Sequence, residues 1–260
     1  MDHALDHSDS HASGQLHVRR VERLAPIRWL ALGARDLRGS LQPSLAVGCA
    51  VAAAGLLLLA LANGASYLVP ALLGGFLLVA PFAAIAVYGL SRQLERGESA
   101  DANEAFMAWR ANAGSIALFG LILALALIFW ERSAAIIFAS FYNGQALHLS
   151  RLMSELLLSG QYAGLLAAFF AAGAVLAAVV FALSVVSAPL LLDRPVDVIT
   201  AVITSLRCCA RNPGTMLLWA LLIAAITAIG FATFMVGLVV AFPWLAHASW
   251  HAYRELVRTD

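Results

Sequence analysis

His247 and His251, in AFPWLAHASWHAYREL (241–256), are the side chains best spaced in this sequence to hold a ligand. At i and i+4 they share one face of a helix. Such a pair can supply two ligands to a metal ion or one axial ligand to a haem. A catalytic zinc takes three protein ligands, and a bis-histidine haem takes its two from facing helices. Beyond residue 17 the one other histidine is His148, which the topology below puts on the opposite side of a membrane. His247 and His251 are therefore weak metal candidates. The better expectation is that they anchor a helix end at a membrane surface beside Trp244, Trp250 and Tyr253, since amphipathic rings favour the headgroup zone. On that expectation, changing both to Gln is tolerated, and changing Trp250 and Tyr253 to Ala is worse.

Other candidate chemistry is thinner. His3, His7 and His11 alternate with Asp2, Asp6 and Asp9, a pattern open to weak copper or zinc binding but expected to be a solvated, disordered tail over 1–17. Glu131 and His148 lack a spacing that would hold them as an acid–base pair. Cys49, Cys208 and Cys209 form no C-x-x-C and read as reduced thiols, the last two facing the cytoplasm. No G-x-S-x-G, H-E-x-x-H or P-loop occurs. The expectation is a protein that is not an enzyme, with no catalytic residue, no metal and no cofactor.

The elements that must position these residues are membrane helices. Of 260 residues, 62% are hydrophobic and 12% charged, with a mean hydropathy of +0.86. A soluble domain carries about 25% charged residues. The net charge of +1 argues against a nucleic-acid partner. The first apolar run starts near Leu41, behind an Arg-rich stretch, so no cleavable signal peptide is expected. Taking about 20 apolar residues per crossing, spans fall at 41–62, 67–90, 113–130, 164–192, 213–229 and 234–250. The last two come from splitting one run near Gly230, because a straight helix over 213–250 would measure about 57 Å at 1.5 Å per residue. The class is all-α, a polytopic bundle of six spans as three hairpins in one membrane domain, 18–260.

Arginine placement orients the bundle. Arg132 and Arg151 lie on one side and the other fourteen arginines on the other, which predicts two cytoplasmic termini in a bacterial inner membrane and a periplasmic 131–162. Trp29 and Trp109 join the expected interface anchors, each on a short helix lying along the membrane. In the second of these, Asp101 and Glu104 have capping-box spacing. Leu149, Leu152, Met153, Leu156 and Leu157 make an amphipathic stripe on the outer side. Gly164, Ala168, Ala172, Gly173 and Ala177 put small residues on span four, which predicts close helix packing there, central in the bundle or at a dimer seam. No Asp, Glu or Arg lies within any span, which argues against a proton-coupled pump.

The hairpins look repeated. Aligning Pro81 with Pro243 sets Tyr88 on Trp250, Arg92 on Arg254 and Leu94 on Leu256, and LRGSLQPS (37–44) resembles LRCCARNPG (206–214). All hairpins would point the same way, unlike the inverted repeats common in transporters.

PSLAVG (43–48), GGFLLVAPFAAIAVYGLSRQLERGE (74–98), FWERSAA (129–135) and HASWHAYREL (247–256) resemble a family of predicted bacterial integral membrane proteins, domain of unknown function 2189. The resemblance implies a six-span architecture and brings no established activity. Some members are labelled similar to subunit I of cytochrome c oxidase. That subunit needs six histidines on several spans, and the spans here offer His247. The expected role is an accessory, assembly or scaffold component, partnered by the lipid bilayer and by another membrane protein or a second copy. A channel or transporter for a small neutral or lipidic solute is the alternative, and a haem- or metal-binding respiratory subunit a weaker one.

Overall fold

Long apolar stretches broken by Pro, Gly and Arg-rich segments leave the backbone few ways to satisfy its hydrogen bonds in lipid other than helices. In the computed structural model, which describes residues 16–61, 72, 75, 76, 80–141 and 163–259, the chain is essentially all-α. Helix α1 (Ala25–Gly39) starts with Pro26 in its first turn, where a missing N–H costs nothing. It buries Ala25, Trp29, Gly33 and Leu37 along one stripe and exposes Arg28, Arg35 and Arg38. Ser40 breaks the helix, and α2 (Leu41–Leu61) follows. Helix α3 (Ile85–Glu95) ends in a turn closed by Gly97, whose φ of +72° suits a residue without a Cβ. Helix α4 (Ala102–Met107) is capped as its spacing predicts: the Asp101 carboxylate accepts the Asn103 and Glu104 N–H groups. It runs through a 3-10 turn (Ala108–Asn112) into α5 (Ala113–Phe141). Helices α6 (Ala163–Ser184) and α7 (Ser187–Asp193) are separated by a break at Val185 and Val186. Then come α8 (Val198–Arg211), α9 (Pro213–Ala232) and α10 (Leu238–Leu256).

Among the described residues, four stretches are long and apolar enough to cross a membrane: Leu41–Leu58, Ala102–Ser140, Ala163–Asp193 and Pro213–Ala232. They expose rows of large apolar side chains, such as Leu121, Leu125 and Phe129 on α5 and Phe170 and Val175 on α6. Lipid tolerates such surfaces and water does not. The expected count of six is not confirmed among the described residues. The first part of the span at 67–90 lies outside the described residues, as do residues 1–15 and the stripe at Leu149–Leu157. Helix α10 is not among the four, because its second half carries polar and charged groups. Two boundaries also move. Helix α5 continues eleven residues past Trp130 to Phe141, and 16–17, expected in a disordered tail, form a strand.

The split of the last run is a true reversal. Residues 233–237 turn the chain, with Phe234 and Met235 at φ of +52° and +68°, left-handed conformations that β-unbranched side chains reach at some cost. Both ends of the α9–α10 hairpin then meet the same N-terminal segment: Asn212 accepts the Val21 N–H, and Leu256 O accepts the Arg19 N–H. Strands β1 (Leu16–Val18) and β2 (Val257–Thr259) pair antiparallel, so the two ends of the described chain lie side by side.

The densest packing is at this polar end. Trp29, Trp219, Trp250, Tyr253 and Leu256 are fully buried there, with Trp29 edge-on to Trp219 at 5.7 Å and Trp250 to Tyr253 at 5.5 Å. Helix α10 is the axis of this region, contacting α1, α2, α3, α7 and α9. Helix α8 closes one flank, started by Asp197, whose carboxylate accepts the Thr200 N–H at 2.9 Å and its hydroxyl at 2.6 Å. Those bonds hold the Asp197 carboxyl below its usual range. Its contribution is therefore present above the ordinary carboxylate pKa and fades as pH falls through the lowered value. Asp197→Ala should cost about 1 kcal/mol at neutral pH, read as a drop in unfolding temperature that disappears in acid.

Candidate functional site

His247, fully buried on α10, is the centre of a polar cluster that joins four helices. Its Nε2 lies 2.9 Å from Ser44 Oγ and 3.4 Å from Ser40 Oγ, and its Nδ1 lies 2.6 Å from Ser91 Oγ. Ser91 donates to Asp36 Oδ2 at 2.9 Å, and Ser40 donates to Asp36 O at 2.9 Å. One proton arrangement satisfies every group. A neutral imidazole donates from Nδ1 to Ser91, Ser91 donates to Asp36, and Ser44 donates to Nε2. His251, one turn along, contacts the same Asp36 Oδ2 through Nε2 at 2.9 Å and is partly exposed.

The sequence puts these groups together by two registers. Asp36, Ser40 and Ser44 recur every four residues across the α1–α2 junction, and His247 and His251 do so on α10. Ser91 projects from α3. Asp36, Ser40, Ser44 and Ser91 were not anticipated from sequence. The four-residue spacing of polar residues beside apolar runs was the available signal, and only the fold brings them to His247.

Serine, histidine and aspartate in contact are also the parts of a nucleophilic triad. Here Ser44 would be the nucleophile and it is 0% exposed, as is His247. Both imidazole nitrogens are already bound within the protein. Among the described residues, no three His, Cys, Asp or Glu side chains are grouped to hold a metal. Cys208 is buried on α8 and burial pushes its thiol up to about 12, far from a reactive thiolate, while Cys49 is exposed.

The expected interface anchors separate into two kinds. Trp109 is partly exposed on the 3-10 turn, next to exposed Phe106 and Met107. Trp29, Trp250 and Tyr253 are instead inside the protein, a correction to the anchor expectation, and so is His247. The reason is that each ring finds its polar partner on another helix. Trp29 Nε1 donates to Glu255 at 2.8 Å, Trp250 Nε1 to Glu95 at 3.0 Å, and the Tyr253 hydroxyl to Asp193 at 2.6 Å. Trp244, half-buried, donates to Leu30 O at 2.8 Å.

The small-residue expectation also shifts. Gly164 and Ala177 on α6 are exposed, and Ala168, Ala172 and Gly173 are only partly covered. Gly173 makes room for the Trp130 ring on α5, 3.1 Å from where its Cβ would be. Backbone meets backbone elsewhere, at Gly33 against Ala248 and Gly48 against Val239 on α10, and at Gly89 against Ala105. Helix α6 is therefore not the central packing helix of the described chain; α10 is.

Ser40 and Asn212, the residues at the breaks before α2 and α9, have φ, ψ of −130°, 41° and −129°, 50°. Each sits immediately before an apolar helix and returns its N–H to the residue four back. Asn112, before α5, staples the chain at the end of α7 through Leu191 O, Arg194 O and Val196 O.

Residues 68–193 match the family described as predicted integral membrane protein, DUF2189. No curated protein and no solved structure matches the chain.

Proposed function

We propose that this multi-pass protein of the predicted integral membrane family DUF2189 is a non-enzymatic accessory, assembly or scaffold component of a membrane complex. The observation that carries the reading is the sealing of His247. The side chain best suited to ligand chemistry is fully buried with both nitrogens bound to serines, and it ties four helices into one rigid end. A haem or metal site would need those nitrogens. A second copy or another membrane protein is the proposed partner, with the lipid-facing sides of α5 and α6 available to it.

The polar end is proposed to face the cytoplasm of a bacterial inner membrane. Pairing of β1 with β2 supports an even number of crossings, and most arginines gather at that end. In a cysteine-free background, a Cys at Ser99 should stay protected from an impermeant thiol reagent in intact cells and a Cys at Ser150 should react. The opposite pattern would invert the topology.

Mild-detergent affinity purification, followed by native mass measurement, tests the role. A defined stoichiometric partner or homo-oligomer is the expected result. A monomer carrying a Soret band or stoichiometric metal that is lost in His247→Gln would replace this reading with the respiratory one, and solute flux through proteoliposomes would replace it with the channel.

A further inference from the structure

At the polar end, α3, α7 and α10 finish around one cleft of about 520 Å³ lined by Arg92, Glu95, Arg96, Asp193, Arg194 and Arg254. Four guanidinium groups against two carboxylates leave a net charge of +2. The carboxylates are already committed. Glu95 accepts Trp250 Nε1 and Arg254 Nε at 2.9 Å, and Asp193 accepts the Tyr253 hydroxyl and lies 3.6 Å from both Arg194 and Arg254. Among the described residues, neither Arg92 nor Arg96 forms an ion pair with a carboxylate. Arg92 gives one amino group to Leu192 O, its buried Nε is without a partner among the described residues, and the Arg96 guanidinium has none there either. Arg92 and Arg254, which the alignment of Pro81 with Pro243 sets on each other, both line this cleft.

We propose that this cleft binds a phosphate-bearing anion. Two committed carboxylates hold Arg254 in place, and two guanidinium groups are left to meet an oxyanion in the forked geometry that suits phosphate. The volume exceeds one phosphate ion and falls in the range of small-ligand pockets. A phospholipid headgroup and a soluble phosphate compound share this chemistry. The lipid source is favoured by α4, which packs on α3 and exposes the large apolar side chains Phe106 and Met107.

Wild type and Arg92→Gln/Arg96→Gln would be reconstituted in neutral phosphatidylcholine nanodiscs. One arm adds phosphatidylglycerol to the discs. The other adds inorganic pyrophosphate to the solution, with sodium chloride matched for ionic strength. The expected result is a saturable rise in unfolding temperature of the wild type in at least one arm, with apparent affinity about tenfold weaker in the double variant. A response to the lipid alone assigns the headgroup, and a response to pyrophosphate alone assigns a soluble phosphate. No response in either arm overturns the proposal. So does an equal response in the variant, or a variant destabilised by the same amount with and without probe, which would make the arginines caps for the three helix ends. If the double variant does not fold, Arg96→Gln alone, at an exposed residue, must still weaken the response, and an unchanged response overturns the site.

Discussion

His247→Leu should lower the stability of the protein by about 2–4 kcal/mol, while His251→Gln should change it by less than about 1 kcal/mol. Leucine keeps much of the ring's apolar volume, so the loss comes from the bonds. Ser44 loses its acceptor and Ser91 its donor where both are buried, and each stranded buried group costs about 1–3 kcal/mol. Ser44 sits one turn beyond Ser40 and can turn its hydroxyl back to its own helix, which limits the total. His251 is different: it is partly exposed, and its partner is Asp36, which keeps its bond from Ser91. His247→Gln, retaining one donor and one acceptor, should fall between the two. Unfolding in detergent micelles and abundance in membranes would both read the series. Equal stability of His247→Leu and wild type would remove the cluster as a structural element.

This ordering departs from the tolerance expected of two interchangeable anchors, and the reason is physical. An aromatic, histidine-rich helix end has the same composition whether its rings lie in headgroups or against other helices. Hydropathy records how apolar a residue is and not what it touches. The same ambiguity explains α10. A helix apolar on most faces reads as a span, yet here it is the helix that the others surround. Three features are legible from local pattern alone. The Asp101 cap depends on residues three apart, the reversal after α9 on length, and the all-α class on composition. Neither the serines around His247 nor the carboxylates under Trp29, Trp250 and Tyr253 could be found that way. Their partners are separated by 60 to 226 residues, and no local periodicity encodes that. The small-residue stripe of α6 does not mark the centre of the described chain for a related reason. Small residues permit close approach but do not say which helix approaches, and the backbone contacts formed instead at isolated glycines of α1 and α2.

Those glycines set the second large effect. Gly33→Ala and Gly48→Ala should each destabilise the protein by about 1–3 kcal/mol, although alanine is the better helix former by about 1 kcal/mol. A Cβ at Gly33 would lie 2.6 Å from Ala248 N and 2.9 Å from Ala248 Cα, and one at Gly48 would run into the Val239 carbonyl. All of these atoms belong to the backbone of α10, so no rotamer change relieves the clash and the helices must separate. Separation at Gly33 would strain the neighbouring bond from Trp29 to Glu255. Separation at Gly48 would pull Ser44, one turn earlier, from His247. Two comparisons isolate the cause. At Gly173 the obstructing atoms are the tip of the Trp130 ring, which can shift, so alanine there should cost less than at either α10 contact. At Gly114 nothing lies within 4 Å, and alanine should be neutral or gain up to about 1 kcal/mol from helix propensity. Thermal unfolding of the four variants in one detergent gives the order directly. If Gly33→Ala and Gly48→Ala matched Gly114→Ala, α1 and α2 would not lie against α10 as closely as the fold places them, and the His247 cluster between them would lose its support.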